Sequence, residues 1–297
     1  VKVFWFFFSK KNRFLAVLYI PCRISKEKPV LLRVGYDITY ACPQPTPMIL
    51  MLSVHYTRAS DIVVPDQLIV SPSVPVSFYR DLFGNWCSRI TAQAGLTRLR
   101  AEGRLHDAGL PDPVAPAARQ VPVEQLPEEA LIYLLGSRYC ETDRLQALAW
   151  SLFDQAPQGW WRVQAICDYV NRHITFGYEH ANPSKTAYDA WHEGRGVCRD
   201  YAHLAVTLCR CMNIPARYCT GYVSDINMPP PYGPMDFAGW FEAYLEGGWH
   251  MFDARNNKPM FGRVLMARGR DAADVAMITS FGPNELKNFE VICDEVT

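Results

Sequence analysis

Cys198 lies in the run Gly194-Arg195-Gly196-Val197-Cys198-Arg199-Asp200-Tyr201-Ala202-His203-Leu204, where a glycine-flanked loop delivers one thiol to the start of an apolar helix. Unpaired backbone N–H groups at a helix N-terminus favour a thiolate, so this position suits a nucleophile. Gly194 and Gly196 supply the small residues that a tight entry to the helix needs.

The elements that must position the thiol follow from periodicity. From Cys198 the helix presents Tyr201, Leu204, Ala205, Leu208 and Met212, Asn213 ends it, and Pro215 prevents its continuation. Alternating strands are expected at Ala216–Val223, Trp240–Leu245 and Trp249–Asp253, joined by Met228-Pro229-Pro230-Pro231 and by Gly247-Gly248. Ahead of the loop, Asp143 reads as an N-cap before Leu145, Leu148, Ala149 and Leu152. A second helix opens at Trp160 and Trp161 and carries Val163, Ile166, Val170 and Ile174.

The first third of the chain reads differently. Leu32, Val34, Tyr36, Ile38 and Tyr40 alternate with polar residues, and short runs of the same kind continue to about residue 103, with Gly84-Asn85 as a hairpin turn. These strands predict an antiparallel β-sandwich over 31–105, in which His55 is a plain strand residue. Five prolines between His106 and Pro127 mark an extended linker over 106–127, and 128–297 forms a second, α+β domain. Further strands are expected around Val264–Met266 and Phe289–Cys293. Residues 1–30 hold two short apolar runs split by Lys10, Lys11 and Arg13 and read as a poorly defined extension.

Thirty acidic and thirty basic residues cancel without long blocks of either sign, which argues against a nucleic-acid partner and for a neutral protein or small-molecule substrate. Neither N-terminal apolar run reaches membrane-spanning length, so no stable membrane insertion is expected. Ten cysteines in 297 residues are too sparse for a disulfide framework, and Cys209, Cys211 and Cys219 read as core packing. A reducing, cytoplasmic setting is the simpler expectation, with export through the apolar N-terminal segment as the alternative. Cys209-Arg210-Cys211 lacks zinc-ligand spacing, and no metal or cofactor is expected.

Three motifs resemble the bacterial branch of the transglutaminase-like superfamily: Gly196-Val197-Cys198-Arg199-Asp200-Tyr201-Ala202-His203-Leu204, then Asn213-Ile214-Pro215-Ala216-Arg217-Tyr218 with Gly221-Tyr222, then Ala238-Gly239-Trp240-Phe241-Glu242-Ala243-Tyr244 with Trp249-His250-Met251-Phe252-Asp253. The resemblance spans roughly Arg162 to the C-terminus and implies a papain-like core in which Cys, His and Asp cooperate on an amide carbonyl, preceded by the β domain that often accompanies it. By this resemblance Cys198 is the nucleophile and Asp253 the triad carboxylate. The histidine position is Ala238, where the family usually has His-Ala-Trp.

Three other histidines are candidates for the missing base. His192 precedes Cys198 by six residues in the approach loop. His203 follows it by five, which on a regular helix points about 140° away. His250 shares a strand with Asp253, but an offset of three puts the two on opposite faces unless a bulge intervenes. A structural role ranks first for each. Asp236 has the parity of Ala238 and Trp240, yet reads first as an exposed strand-entry residue, and Asp253 is expected to pair with Arg255. Two functions stand: a cysteine enzyme acting on peptide or glutamine amide bonds through a Cys198 thioester, as peptidase, amidase or acyl transferase, which leads; and a catalytically impaired member that binds peptides or proteins in its groove.

Overall fold

The computed structural model describes residues 2–3, 29–226 and 235–296. The N-terminal extension lies almost entirely outside these residues, as does the joint around Pro229-Pro230-Pro231.

Alternation places the long strand Val30–Cys42 as expected: Leu32, Val34, Tyr36, Ile38 and Tyr40 are all buried on one face. It pairs antiparallel along its whole length with Gly95–Asp107, from Val30 opposite Asp107 to Cys42 opposite Gly95. A second sheet contains Thr46–Leu50, Trp86–Ala92, Ser77–Arg80 and Ile278–Ser280, with Lys2–Val3 at its edge. Met48, Leu50, Ile90 and Ala92 face the first sheet, so one apolar core fills the sandwich.

The sandwich is completed from the far end of the chain. Glu285–Glu295 pairs with Val30–Cys42, and Ile278–Ser280 pairs with Thr46–Leu50. The segment 278–295, grouped by sequence with the second domain, therefore hydrogen-bonds into the two sheets of the first. Local alternation identifies a strand but not the partner across which its N–H groups will bond.

The α+β part surrounds the helix Cys198–Cys211, every residue of which is buried. Helices Thr142–Phe153, Trp160–His173 and Ala187–Glu193 pack on one side. On the other lies an antiparallel sheet in the order Gly248–Phe252, Ala238–Leu245, Ala216–Val223, Arg263–Gly269. A helix enclosed on all sides must satisfy its polar side chains internally. Thr207 Oγ1 donates to the His203 carbonyl at 2.7 Å, and Arg210 donates to the carbonyls of Ala216 and Leu135 at 2.8 and 2.9 Å. Thr142–Phe153 starts one residue before the expected cap Asp143, with Glu141 at the cap position and no side-chain cap bond.

Candidate active site

Two glycines and one carboxylate set the entry to the central helix. Gly194 closes Ala187–Glu193 with φ +62°, the left-handed conformation that glycine adopts without strain. Gly196 allows Asp200 to fold back: a Cβ there would meet Asp200 Oδ2 at 2.5 Å. Asp200 Oδ2 accepts the Val197 N–H at 2.9 Å, the half of a capping box that the third helical residue supplies; the other half is missing, since valine has no side-chain acceptor. Asp200 is in turn paired with Arg199 at 3.1 Å, and Arg199 also donates to the carbonyl of Asn182.

This scaffold buries Cys198, leaving it 8% exposed. Burial pushes its thiol up to about 12; the Arg255 guanidinium and a hydrogen bond from the Gly239 N–H work in the opposite direction, while the Asp236 and Asp200 carboxylates raise it further. The balance of these influences favours the protonated thiol.

Among the described residues, the groups that act most strongly on this thiol include no imidazole. Ala238 begins the strand Ala238–Leu245, and its carbonyl accepts from Thr220 Oγ1 at 3.1 Å. His192 lies on the helix Ala187–Glu193 rather than in a loop, exposed and stacked on Tyr188 at 6.3 Å. His203 belongs to the helix Cys198–Cys211 and is fully buried, where Nε2 accepts the Ala272 N–H at 3.1 Å and the ring stacks on Tyr139. Burial, aided by Arg199 and Arg210, holds it well below the usual imidazole range, so it stays neutral. His250 donates from Nε2 to the Glu246 carbonyl at 3.0 Å and meets Trp160 edge-on.

Asp253 is also engaged elsewhere. Its Oδ1 accepts the N–H groups of Arg255 and Asn256, both at 3.0 Å, and its Oδ2 accepts from Asn256 Nδ2 at 2.8 Å and Arg263 Nη2 at 3.1 Å. The expected ion pair with Arg255 is not formed: Arg255 gives Asp253 only its backbone, and its guanidinium lies over the Phe176 ring at 4.1 Å. Arg263, ten residues on and at the start of the strand at the opposite edge of the sheet, takes the carboxylate. Asp253 also lines a small open cleft with Asp112, Trp160, Gln164, Asn257 and Lys258, which Cys198 does not line.

What the fold gathers around Cys198 is a different set. Asp236, Arg255, Tyr178 and Tyr218 all act electrostatically with the thiol. Both Asp236 oxygens and the Tyr218 hydroxyl are buried without a hydrogen-bond partner among the described residues. Burial drives the Asp236 carboxyl well above the usual carboxylate range, against the pull of the Phe237 N–H and Arg255. Gly239 makes room for Tyr218, whose hydroxyl would lie 2.5 Å from a Cβ at that position. Strand parity pointed to Asp236, but neither its burial nor the convergence of Arg255 on the same thiol has a local signature. No group of three or more His, Cys, Asp or Glu suited to a metal occurs among the described residues.

The fold has counterparts among known proteins. The transglutaminase-like superfamily profile matches residues 146–254. A crystal structure from Cytophaga hutchinsonii, described as a "Putative Cysteine Protease", is 32% identical, with a TM-score of 0.77 over 91% of this chain and 92% of that one. "Uncharacterized protein ML0607" of Mycobacterium leprae is 37% identical over 92 residues, which cover 30% of this chain and 32% of that protein. The match thus spans about a third of the length of that curated relative. The chain belongs to the transglutaminase-like superfamily.

Proposed function

We propose that the protein is a cysteine-dependent acyl-transfer enzyme that attacks the amide carbonyl of a peptide or protein substrate with Cys198, in a reducing, cytoplasmic setting. The observation that carries this reading is the convergence on one buried sulfur of a helix N-terminus, the Gly239 N–H and the Arg255 guanidinium, three features that each favour negative charge at that point. Peptide-sized substrates suit a superfamily with a neighbour described as a cysteine protease. Water reaching the thioester would give hydrolysis, and an amine would give transamidation.

The test is turnover of a panel of N-blocked aminoacyl p-nitroanilides, with and without hydroxylamine as acceptor, by the full chain and by Cys198→Ala. Release of p-nitroaniline that disappears in the variant, with an acyl adduct on the Cys198 peptide by mass spectrometry, is expected. Equal rates in both proteins, or none in either, would overturn the reading.

A second reading is favoured by Ala238 and by the engagement of Asp253 with Arg263: a family member that binds an extended peptide and no longer turns it over. It predicts peptide binding that Cys198→Ala leaves unchanged.

A further inference from the structure

We propose that the site selects substrates carrying a carboxylate within one or two residues of the amide under attack, and that the Arg255 guanidinium is the group that seats it. The inference rests on the acyl-transfer reading above and names a substrate class for it.

Its basis is a guanidinium that is held in place but not paired. The Arg255 N–H donates to Asp253 Oδ1 at 3.0 Å, and its carbonyl accepts from Asn171 Nδ2, on the helix Trp160–His173, at 2.8 Å. Asn171 also bonds the Ala254 carbonyl at 3.0 Å, so the whole turn is clamped to that helix. The side chain above this clamp is half-buried. Its guanidinium lies 4.1 Å over the Phe176 ring, and Nη1 is 3.4 Å from Asn256 Oδ1, but no carboxylate forms an ion pair with it among the described residues. Arg199, Arg217, Arg263 and Arg270, in the same part of the chain, each meet an aspartate or glutamate at 2.6 to 3.1 Å. Asp236 does not supply the missing charge, since burial raises its carboxyl well above the usual range. A cation withdrawn from water without a counter-ion is costly, so one fixed in this way points to an anion that arrives from outside.

Strand register places this cation beside the thiol. Phe176 pairs with Gly196, two residues before Cys198, and the Gly177 N–H donates to the Gly196 carbonyl at 3.1 Å. The ring that backs Arg255 is therefore tied to the loop that delivers the sulfur. It also packs against Tyr178 at 5.0 Å and against Tyr201 of the central helix at 6.5 Å. A guanidinium backed by a ring keeps its in-plane N–H groups, a fork that matches a carboxylate with two parallel bonds. Residues of an extended substrate follow one another at about 3.3 Å, so a carboxylate seated there belongs to a near neighbour of the attacked carbonyl. Asp253 gains a role at the site by the same geometry: instead of orienting an imidazole, it orients Arg255 through the backbone. An Asp or Glu side chain and a free C-terminus offer the same carboxylate, and the two arms of the turnover test separate them.

Two ratios test this on the full chain. Alkylation of Cys198 by iodoacetate and by iodoacetamide, followed by peptide mass spectrometry, compares an anionic with a neutral reagent of similar size. The quotient of the two rates, divided by that for free cysteine, does not depend on how much thiolate is present. In the wild type it should be raised about tenfold, the worth of one hydrogen bond to a charged group, and Arg255→Gln should abolish the excess. Arg255→Lys, which keeps the charge without the fork, should retain part of it. The second ratio is kcat/KM for N-blocked Glu and Asp p-nitroanilides against their Gln and Asn counterparts, and for short peptides with a free C-terminal carboxylate against their C-terminal amides. A preference of about tenfold in one arm, lost in Arg255→Gln, is expected and identifies the source. A wild-type quotient that is not raised, one that Arg255→Gln leaves unchanged, a thiol that neither reagent reaches, or Cys198-dependent turnover with no preference in either arm would overturn the proposal. A raised quotient in a protein without Cys198-dependent turnover would overturn the acyl-transfer reading and support carboxylate binding at Arg255.

Discussion

The Asp253 carboxylate shares the Arg263 guanidinium with Asp112: Nη2 of Arg263 donates at 3.1 Å to Asp253 and at 3.0 Å to Asp112. One buried cation is thus held between two carboxylates, and the residue that aligns with a triad acid serves to tie the strand Arg263–Gly269 to the turn after Gly248–Phe252. Asp253→Asn keeps the turn's acceptor oxygen but removes half of this compensation. Breaking a lone buried pair costs about 3–5 kcal/mol; with Asp112 remaining, the expected loss is about 2 kcal/mol in urea unfolding. The labelling rate of Cys198 should not change, which a carboxylate active at the thiol would not allow.

Gly239 and Tyr218 provide a paired test of the packing under the thiol. Gly239→Ala drives a methyl group into the Tyr218 hydroxyl and should cost about 1–3 kcal/mol. Tyr218→Phe removes a buried hydroxyl that lacks a partner among the described residues, so alone it should be neutral or mildly stabilising. The double variant should recover most of the loss, a positive coupling readable from three denaturation curves.

His55 gives the fold a defined acid response. It is buried, Nδ1 lies 2.9 Å from Thr57 Oγ1, and burial, together with Arg268, Arg217 and Arg80, lowers it to about 4. Below about pH 6.5 the unfolded chain takes up a proton on this ring that the folded chain refuses, so stability is complete above that pH and is lost progressively down to about pH 4. Allowing for screening of the arginine charges, the loss amounts to about 2 kcal/mol. His55→Asn should start less stable at pH 7 and fall less steeply, by that amount, between pH 7 and 4.

Legibility in the sequence followed the range of the interactions. Leu32 to Tyr40 alternate, and they form the strand that the alternation predicts, because a half-buried strand writes its burial at period two. Asn213 ends the central helix with φ +60°, as its place before Pro215 implied. The placement of Cys198 at a helix start came from the same local grammar. Beyond local range the reading failed in identifiable ways: Asp253 was matched to Arg255 by proximity along the chain, whereas Arg263 reaches it across the fold. Nothing local reveals that Ala272, sixty-nine residues on, engages His203, whereas Glu246 and Tyr188 engage His250 and His192 from only four residues away. Asp236 was marked by parity but read as exposed, since the groups that bury it come from distant elements.

The pairing of Glu285–Glu295 with Val30–Cys42 has a consequence for biosynthesis. When Val30–Cys42 and Gly95–Asp107 have left the ribosome, the outer edge of Val30–Cys42 has no neighbour until nearly two hundred more residues are made, and its unpaired N–H and C=O groups are an invitation to other chains. The helices and sheet around Cys198, encoded in between, are complete before that edge is closed. Sealing the sandwich is thus a late, long-range and slow step, and the nascent chain is most exposed to aggregation while the part bearing the thiol is already built.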